Sequence, residues 1–162
     1  MLNPRRTFLA TAGISLLTPA VARLSARPER AQRVERATEW TAEQKANVQL
    51  VTDFCASWST RDLKQILPRL SNDCLYRMSE AIPAVTGHAG VTEKLGEWMT
   101  SSDLGIEFKV LDTWAAGPMV MNHRIDSFKS TKRPLTWEGI GVFFVKDGKI
   151  KEWSDYTIRV VR

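Results

Sequence analysis

Val51, Phe54, Cys55 and Trp58 recur at i, i+3, i+4 and i+7, an apolar stripe of helical period. The helix it predicts starts at Thr41, a good N-cap, with Glu43 and Gln44 in its first turn. Ser59-Thr60-Arg61-Asp62 breaks the stripe. A second, short helix is expected from Asp62 to Ile66, ending before Pro68, with Leu63, Ile66 and Leu67 turned inward. Asn72-Asp73 reads as a turn and Cys74 to Met78 as a first strand, kept short or at an edge by Pro83 and Gly87. Val91, Leu95 and Trp98 mark one side of a third helix from Ala89 to Thr100, and Ser101 to Gly105 reads as a loop.

Beyond Gly105 the apolar period changes from helical to alternating. Strands are expected over Gly105–Trp114, Met119–Phe128, Leu135–Val145 and Ile150–Val160. Ala116-Gly117-Pro118, Lys132-Arg133-Pro134 and Lys146-Asp147-Gly148 separate them, the last a strong hairpin signal because its turn needs residues that tolerate positive φ. Helices followed by four long strands predict an α+β fold. About three helices cover one face of a strongly curved antiparallel sheet, forming a cone with an apolar pocket.

The ends change this picture in one respect. Arg5-Arg6 next to Phe8-Leu9, then an apolar run to Val21, resembles a twin-arginine export signal of bacteria. The run is shorter than the roughly 20 apolar residues needed to span a bilayer. Ala20-Val21-Ala22 offers a cleavage site, with Leu24-Ser25-Ala26 as a second. An ordinary secretory signal or a retained anchor is the alternative. Residues 1–22 are therefore expected as a signal peptide, 23–40 as a flexible arginine-rich linker and 41–162 as the domain. The mature protein would be periplasmic or secreted, without stable membrane insertion.

The net charge of +5 resides in these ends. Two charges lie in the leader and three net charges in the arm from Arg23 to Arg36, so the domain itself is near neutral. A basic nucleic-acid footprint is not expected. Cys55 and Cys74 are expected as two buried thiols, although export leaves room for a disulfide. His88 and His123 have no Cys or His partner at ligand spacing, so no metal site is expected.

Candidate chemistry sits in the last strands. Residues two apart on a strand share a face, so Arg124 pairs in direction with Asp126, and Trp153 with Asp155. If the two strands are neighbours, one guanidinium can bridge two carboxylates, holding one ionised as a base and the other protonated as an acid. An ordinary cross-strand ion pair is the competing reading. His123 points away from Arg124. Trp40, Trp58, Trp98, Trp114 and Trp137 read as core or interface packing.

Tyr76 ahead of Pro83 and Gly87, Arg124-x-Asp126, Gly141-Val142-Phe143, Asp147-Gly148-Lys149-Ile150 and Trp153-x-Asp155-Tyr156 resemble the limonene-1,2-epoxide hydrolases over roughly Gln49 to Ile158. These belong to the cone-shaped superfamily of nuclear transport factor, ketosteroid isomerases and polyketide cyclases. The resemblance implies water addition to a small apolar epoxide, giving a vicinal diol in one step without cofactor or metal. It casts Asp155 as the base acting on water, Asp126 as the acid, Arg124 as the bridge between them and Tyr76 as a hydroxyl holding the water. Met78, Trp153 and Phe128 are the expected substrate-binding side chains. Met78 stands where the family pattern has an asparagine that also holds the water. A ketosteroid-isomerase or polyketide-cyclase type of reaction, or a non-catalytic small-ligand-binding module, are the alternatives. Curved sheets of this class commonly pair through their outer faces, so a homodimer is an open expectation.

Overall fold

The structure, a computed structural model, describes residues 39–101, 103–132 and 134–161. The expected export signal, nearly all of the expected linker and Arg133 of one expected turn lie outside them. Helix α1 spans Ala42–Ser57 and starts with a capping box. Thr41 Oγ1 accepts from the Gln44 N–H at 3.2 Å, and Gln44 Oε1 accepts from the Thr41 N–H at 2.9 Å. The expected stripe is its buried face: Val51, Phe54 and Cys55, continued by Trp58 in the 3-10 turn Trp58–Thr60. Asp62 caps the short α2, Leu63–Ile66, whose Ile66 is fully buried.

Strand β1, Leu70–Arg77, begins earlier than expected, and Asn72 and Asp73 lie within it rather than in a turn. The reason is an irregularity. The register against the neighbouring strand shifts between Leu70 and Leu75, so the polar pair faces solvent while Leu70 and Cys74 stay in the core. A two-residue β2, Val85–Thr86, follows, then α3, Gly87–Thr100, with Val91 and Leu95 buried. The loop expected up to Gly105 is shorter, because β3 starts at Leu104.

The four long strands are β3 (Leu104–Ala116), β4 (Met119–Ser130), β5 (Leu135–Lys146) and β6 (Lys149–Val161). They form the expected antiparallel meander, and the β5–β6 hairpin turns through Asp147 and Gly148 at φ 51° and 68°. Among the described residues the sheet runs β2-β1-β6-β5-β4-β3. β1 lies parallel to β6, so the sheet is mixed. After β1 the chain crosses through α3 to the far edge and returns strand by strand, which brings its last strand beside its first.

The helices cover one side, packed on the inner face of the sheet. Phe54 of α1 meets Trp58, Phe143 and Trp153 edge to face. On β4 burial alternates strictly, so Val120, Asn122, Arg124, Asp126 and Phe128 all face this core. Three polar side chains in a row on a buried face require an explanation, because each is costly to bury without partners.

Candidate active site

Their partners are one another and their neighbours across the sheet. Arg124 is buried, and each end of its guanidinium is occupied. Nε donates to both oxygens of Asp126, at 2.8 Å to Oδ1 and 3.1 Å to Oδ2. Nη1 donates to Asn122 Oδ1 at 2.9 Å, and Nη2 to Asp155 Oδ1 at 2.5 Å. The guanidinium carbon also lies 5.0 Å from the centre of the Phe108 ring.

Arg124 stands on β4 and Asp155 on β6, with β5 between them. Two strand spacings are about 9.6 Å, and a side chain on β5 would block the reach. The strand supplies glycine there. Gly141 lies between Asn122 and Asp155 in register. A Cβ on it would fall 1.9 Å from Arg124 Nη1 and 2.8 Å from Asn122 Oδ1. The missing side chain is the space that the guanidinium occupies.

Each carboxylate also receives an indole. Trp137 Nε1 donates to Asp126 Oδ2 at 3.1 Å, and Trp153 Nε1 to Asp155 Oδ1 at 2.7 Å. The two acids are not equivalent. Asp126 is buried and accepts on both oxygens. Asp155 accepts twice on Oδ1, leaving Oδ2 without a donor among the described residues, on a side chain 14% exposed.

Burial pushes the carboxyl of Asp155 up to about 6, against the opposing pull of Arg124. Asp126 is raised for the same first reason and opposed by the same cation. Arg124 stays charged: burial works against it, but the two carboxylates outweigh burial and hold its pKa above the ordinary value. Two buried acids sharing one cation titrate as a unit.

Tyr76 of β1 lies beside Trp153 in the parallel register and stacks on it, ring centres 4.0 Å apart. Its hydroxyl has no hydrogen-bond partner among the described residues. Burial, then the charge of Asp155, keep it neutral. Met78 lies just beyond β1, half-buried against the core. Phe128 stacks on Trp137 at 4.8 Å.

The structure thus places Arg124, Asp126 and Asp155 in direct contact, with Tyr76 and Trp153 beside them and Phe128 behind Trp137. His123 faces outward and pairs with Glu138 at 2.7 Å, and both cysteines are buried free thiols. Three participants went unseen in the sequence. The sequence reads Trp137 as core or interface packing, and its indole holds Asp126. Asn122 receives Arg124 and donates to Cys55 Sγ at 3.3 Å, where burial pushes the thiol up to about 11. Gly141 makes room. Asn122 was within reach of the alternation rule, being two residues before Arg124. The other two depend on the β4–β5 register.

A six-stranded curved sheet with helices on one face and a buried polar row on the inner side defines a cone-shaped α+β protein of the nuclear-transport-factor-like class. Within that class, the chain belongs to the limonene-1,2-epoxide hydrolase family: the model of that family's catalytic domain matches residues 45–159. Among solved structures, an LEH-like epoxide hydrolase of M. tuberculosis is 25% identical, with a TM-score of 0.63 over 71% of this chain and 84% of that one. A candidate polyketide cyclase of Xanthomonas campestris is 16% identical, with a TM-score of 0.62 over 71% and 92%. A candidate SnoaL-like polyketide cyclase of Shewanella putrefaciens is 15% identical, with a TM-score of 0.61 over 74% and 91%; these last two likenesses speak to the fold alone. No curated protein matches the chain.

Proposed function

We propose that the protein adds water to a small apolar epoxide and releases a vicinal diol. The observation that carries this reading is the single guanidinium bonded to one buried and one part-buried carboxylate, the second of which keeps an oxygen without a donor among the described residues. Water is a poor nucleophile until a base takes its proton. Asp155 Oδ2 is free for that task, and the unpartnered hydroxyl of Tyr76 is the nearby group suited to hold the same water. As the O–H bond breaks, the water oxygen bonds to an epoxide carbon and the C–O bond opens. The released oxygen takes the proton of Asp126. Asp155 ends protonated and Asp126 ionised, and transfer of one proton back restores the pair. One water is consumed and no covalent enzyme intermediate forms.

Met78 removes one side chain able to anchor the water, so this role falls on Asp155 and Tyr76. A proton abstraction from carbon by Asp155, of the isomerase or cyclase type, is the second reading, supported by the same missing anchor. Export to the periplasm or exterior is also proposed, on the paired arginines of the leader. A second copy covering the outer sheet face is proposed on the apolar side chains there, with Trp114, Phe144 and Tyr156 each at least 40% exposed. The test of the main reading is diol formation from a panel of small epoxides. Asp126→Asn and Asp155→Asn are each expected to lower the rate by about 10²–10⁴-fold. Full activity in both variants would end the proposal.

A further inference from the structure

The proposed reaction assigns no task to Trp137, yet this side chain faces the candidate acid directly. Trp137 is the cross-strand register partner of Asp126, on β5 against β4. Paired residues on adjacent strands present their side chains on one face, so the contact is built into the sheet. The ring is half-buried and fixed against Phe128, at 4.8 Å and 26°. Its Nε1 reaches Asp126 Oδ2 at 3.1 Å.

Asp126 is therefore gripped from two strands. Arg124 approaches from its own strand and Trp137 from the next, and between them they set the plane of the carboxyl group. Each carboxylate oxygen has two lone-pair directions; Oδ2 accepts from both Arg124 and Trp137 and Oδ1 from Arg124 alone, so Oδ1 keeps a direction open for the transferable proton. Asp155 also has an indole, from Trp153, but that bond falls on the oxygen Arg124 already holds. The indole at Asp126 instead sits on the oxygen that the cation holds less closely.

We propose that Trp137 is a positioning residue for the acid, orienting the carboxyl of Asp126 and setting how strongly it holds its proton. This inference rests on the epoxide-opening reading for its consequence in catalysis, though not for its physical content. A hydrogen bond donated to a carboxylate favours the ionised form, and the indole contributes in that direction. A more readily released proton makes Asp126 a better donor to the opening oxygen, and narrows the range of pH in which the proton is present. The other ionisable groups near Asp126 are Arg124 on its own strand, Asp155 on β6, Tyr76 on β1 and Cys55 on α1. Trp137→Phe changes none of these and keeps an aromatic ring beside Phe128, removing the N–H along with part of the indole.

The test is an NMR titration of Asp126 with ¹³C-labelled carboxyl groups, in the full-length protein and in Trp137→Phe. The midpoint is expected to rise by about one pH unit in the variant, as for a lost bond to a charged group. In the wild-type protein the indole N–H resonance of Trp137 is expected to move with the same midpoint, which serves if the variant folds poorly. With an epoxide that turns over, the high-pH limb of kcat/KM should shift upward in Trp137→Phe by more than the low-pH limb, since the two acids are coupled. An unchanged Asp126 midpoint, or an indole resonance indifferent to pH, would overturn the assignment. If no epoxide is hydrolysed but the NMR midpoints shift as stated, Trp137 keeps its hold on Asp126 and the function reading alone fails.

Discussion

Gly141→Ala is the smallest change that attacks the centre of the site, because it adds one methyl group where the guanidinium lies. The added Cβ would stand 1.9 Å from Arg124 Nη1, while ordinary van der Waals contact begins at 3.4 Å. One group must yield by about 1.5 Å, and the Phe143 ring edge and Asn122 Oδ1 crowd the same point at 2.7 and 2.8 Å. A movement of that size breaks the bond from Nη2 to Asp155 or the bond from Nη1 to Asn122. Separating one partner of a buried ion pair costs about 3–5 kcal/mol, more than the ~1–3 kcal/mol of simple overpacking. Stability should fall by about 3 kcal/mol or more if the bond to Asp155 breaks and by about 1.5–3 kcal/mol if only the bond to Asn122 does, a large part of the ~5–15 kcal/mol typical of a domain. Withdrawal of Arg124 also removes the main influence holding the Asp155 carboxyl down, so the low-pH limb of activity should move upward. Urea unfolding measures the first effect and a pH–rate profile the second. Gly96→Ala on α3 is the control: nothing lies within 4 Å of the new methyl, and a gain of about 0.5–1 kcal/mol is expected. If Gly141→Ala unfolded within about 0.5 kcal/mol of the parent, the packing argument for the bridge would be wrong.

Other outcomes follow from the same geometry. The Asp155 carboxyl is raised in the folded state to about 6 from 3.8, so the unfolded chain loses this proton first as pH rises. That opposes folding progressively between about pH 4 and 6, by roughly 3 kcal/mol in all. Chemical denaturation of Asp155→Asn at pH 4 and pH 7 should show this difference removed relative to the parent, and an equal pH dependence in both proteins would contradict it. Tyr76→Phe keeps the ring stacked on Trp153 and removes the free hydroxyl, so the rate should fall by about tenfold or more with stability nearly unchanged, as for loss of one hydrogen bond to a reacting water. Thr41→Ala deletes half of the capping box and should lower stability by about 1 kcal/mol without altering the pH–rate profile. Sedimentation should report a pair of copies that Phe144→Lys separates; a monomer at all concentrations would remove the proposed outer-face contact.

The elements were legible because their signals are local. The stripe from Val51 to Trp58, the Thr41 cap and the Asp147-Gly148 hairpin each lie within a few residues, and each is where the pattern puts it. Asn72-Asp73 misled because a register irregularity lets polar residues stand inside a strand, and that irregularity shows only in the pairing of β1 with β6, some eighty residues away in sequence. The same distinction divides the site. Arg124 and Asp126 share a face by alternation alone, so their pairing could be read directly. The role of Gly141 depends on β5 lying between β4 and β6, and the role of Trp137 on its register opposite Asp126. Neither follows from a residue's own neighbours. An indole read as apolar filler therefore proved to be a hydrogen-bond donor to a buried acid.

On the proposed reaction, the two carboxylates on one guanidinium deliver solvent water directly to an epoxide. A single turnover in ¹⁸O-labelled water, with enzyme in excess over epoxide, tests it most directly. One labelled oxygen is expected in the diol from that first turnover, and none in the carboxylates of Asp126 or Asp155. Unlabelled diol in the first turnover, with label then appearing in one of those side chains, would contradict it by showing a covalent ester.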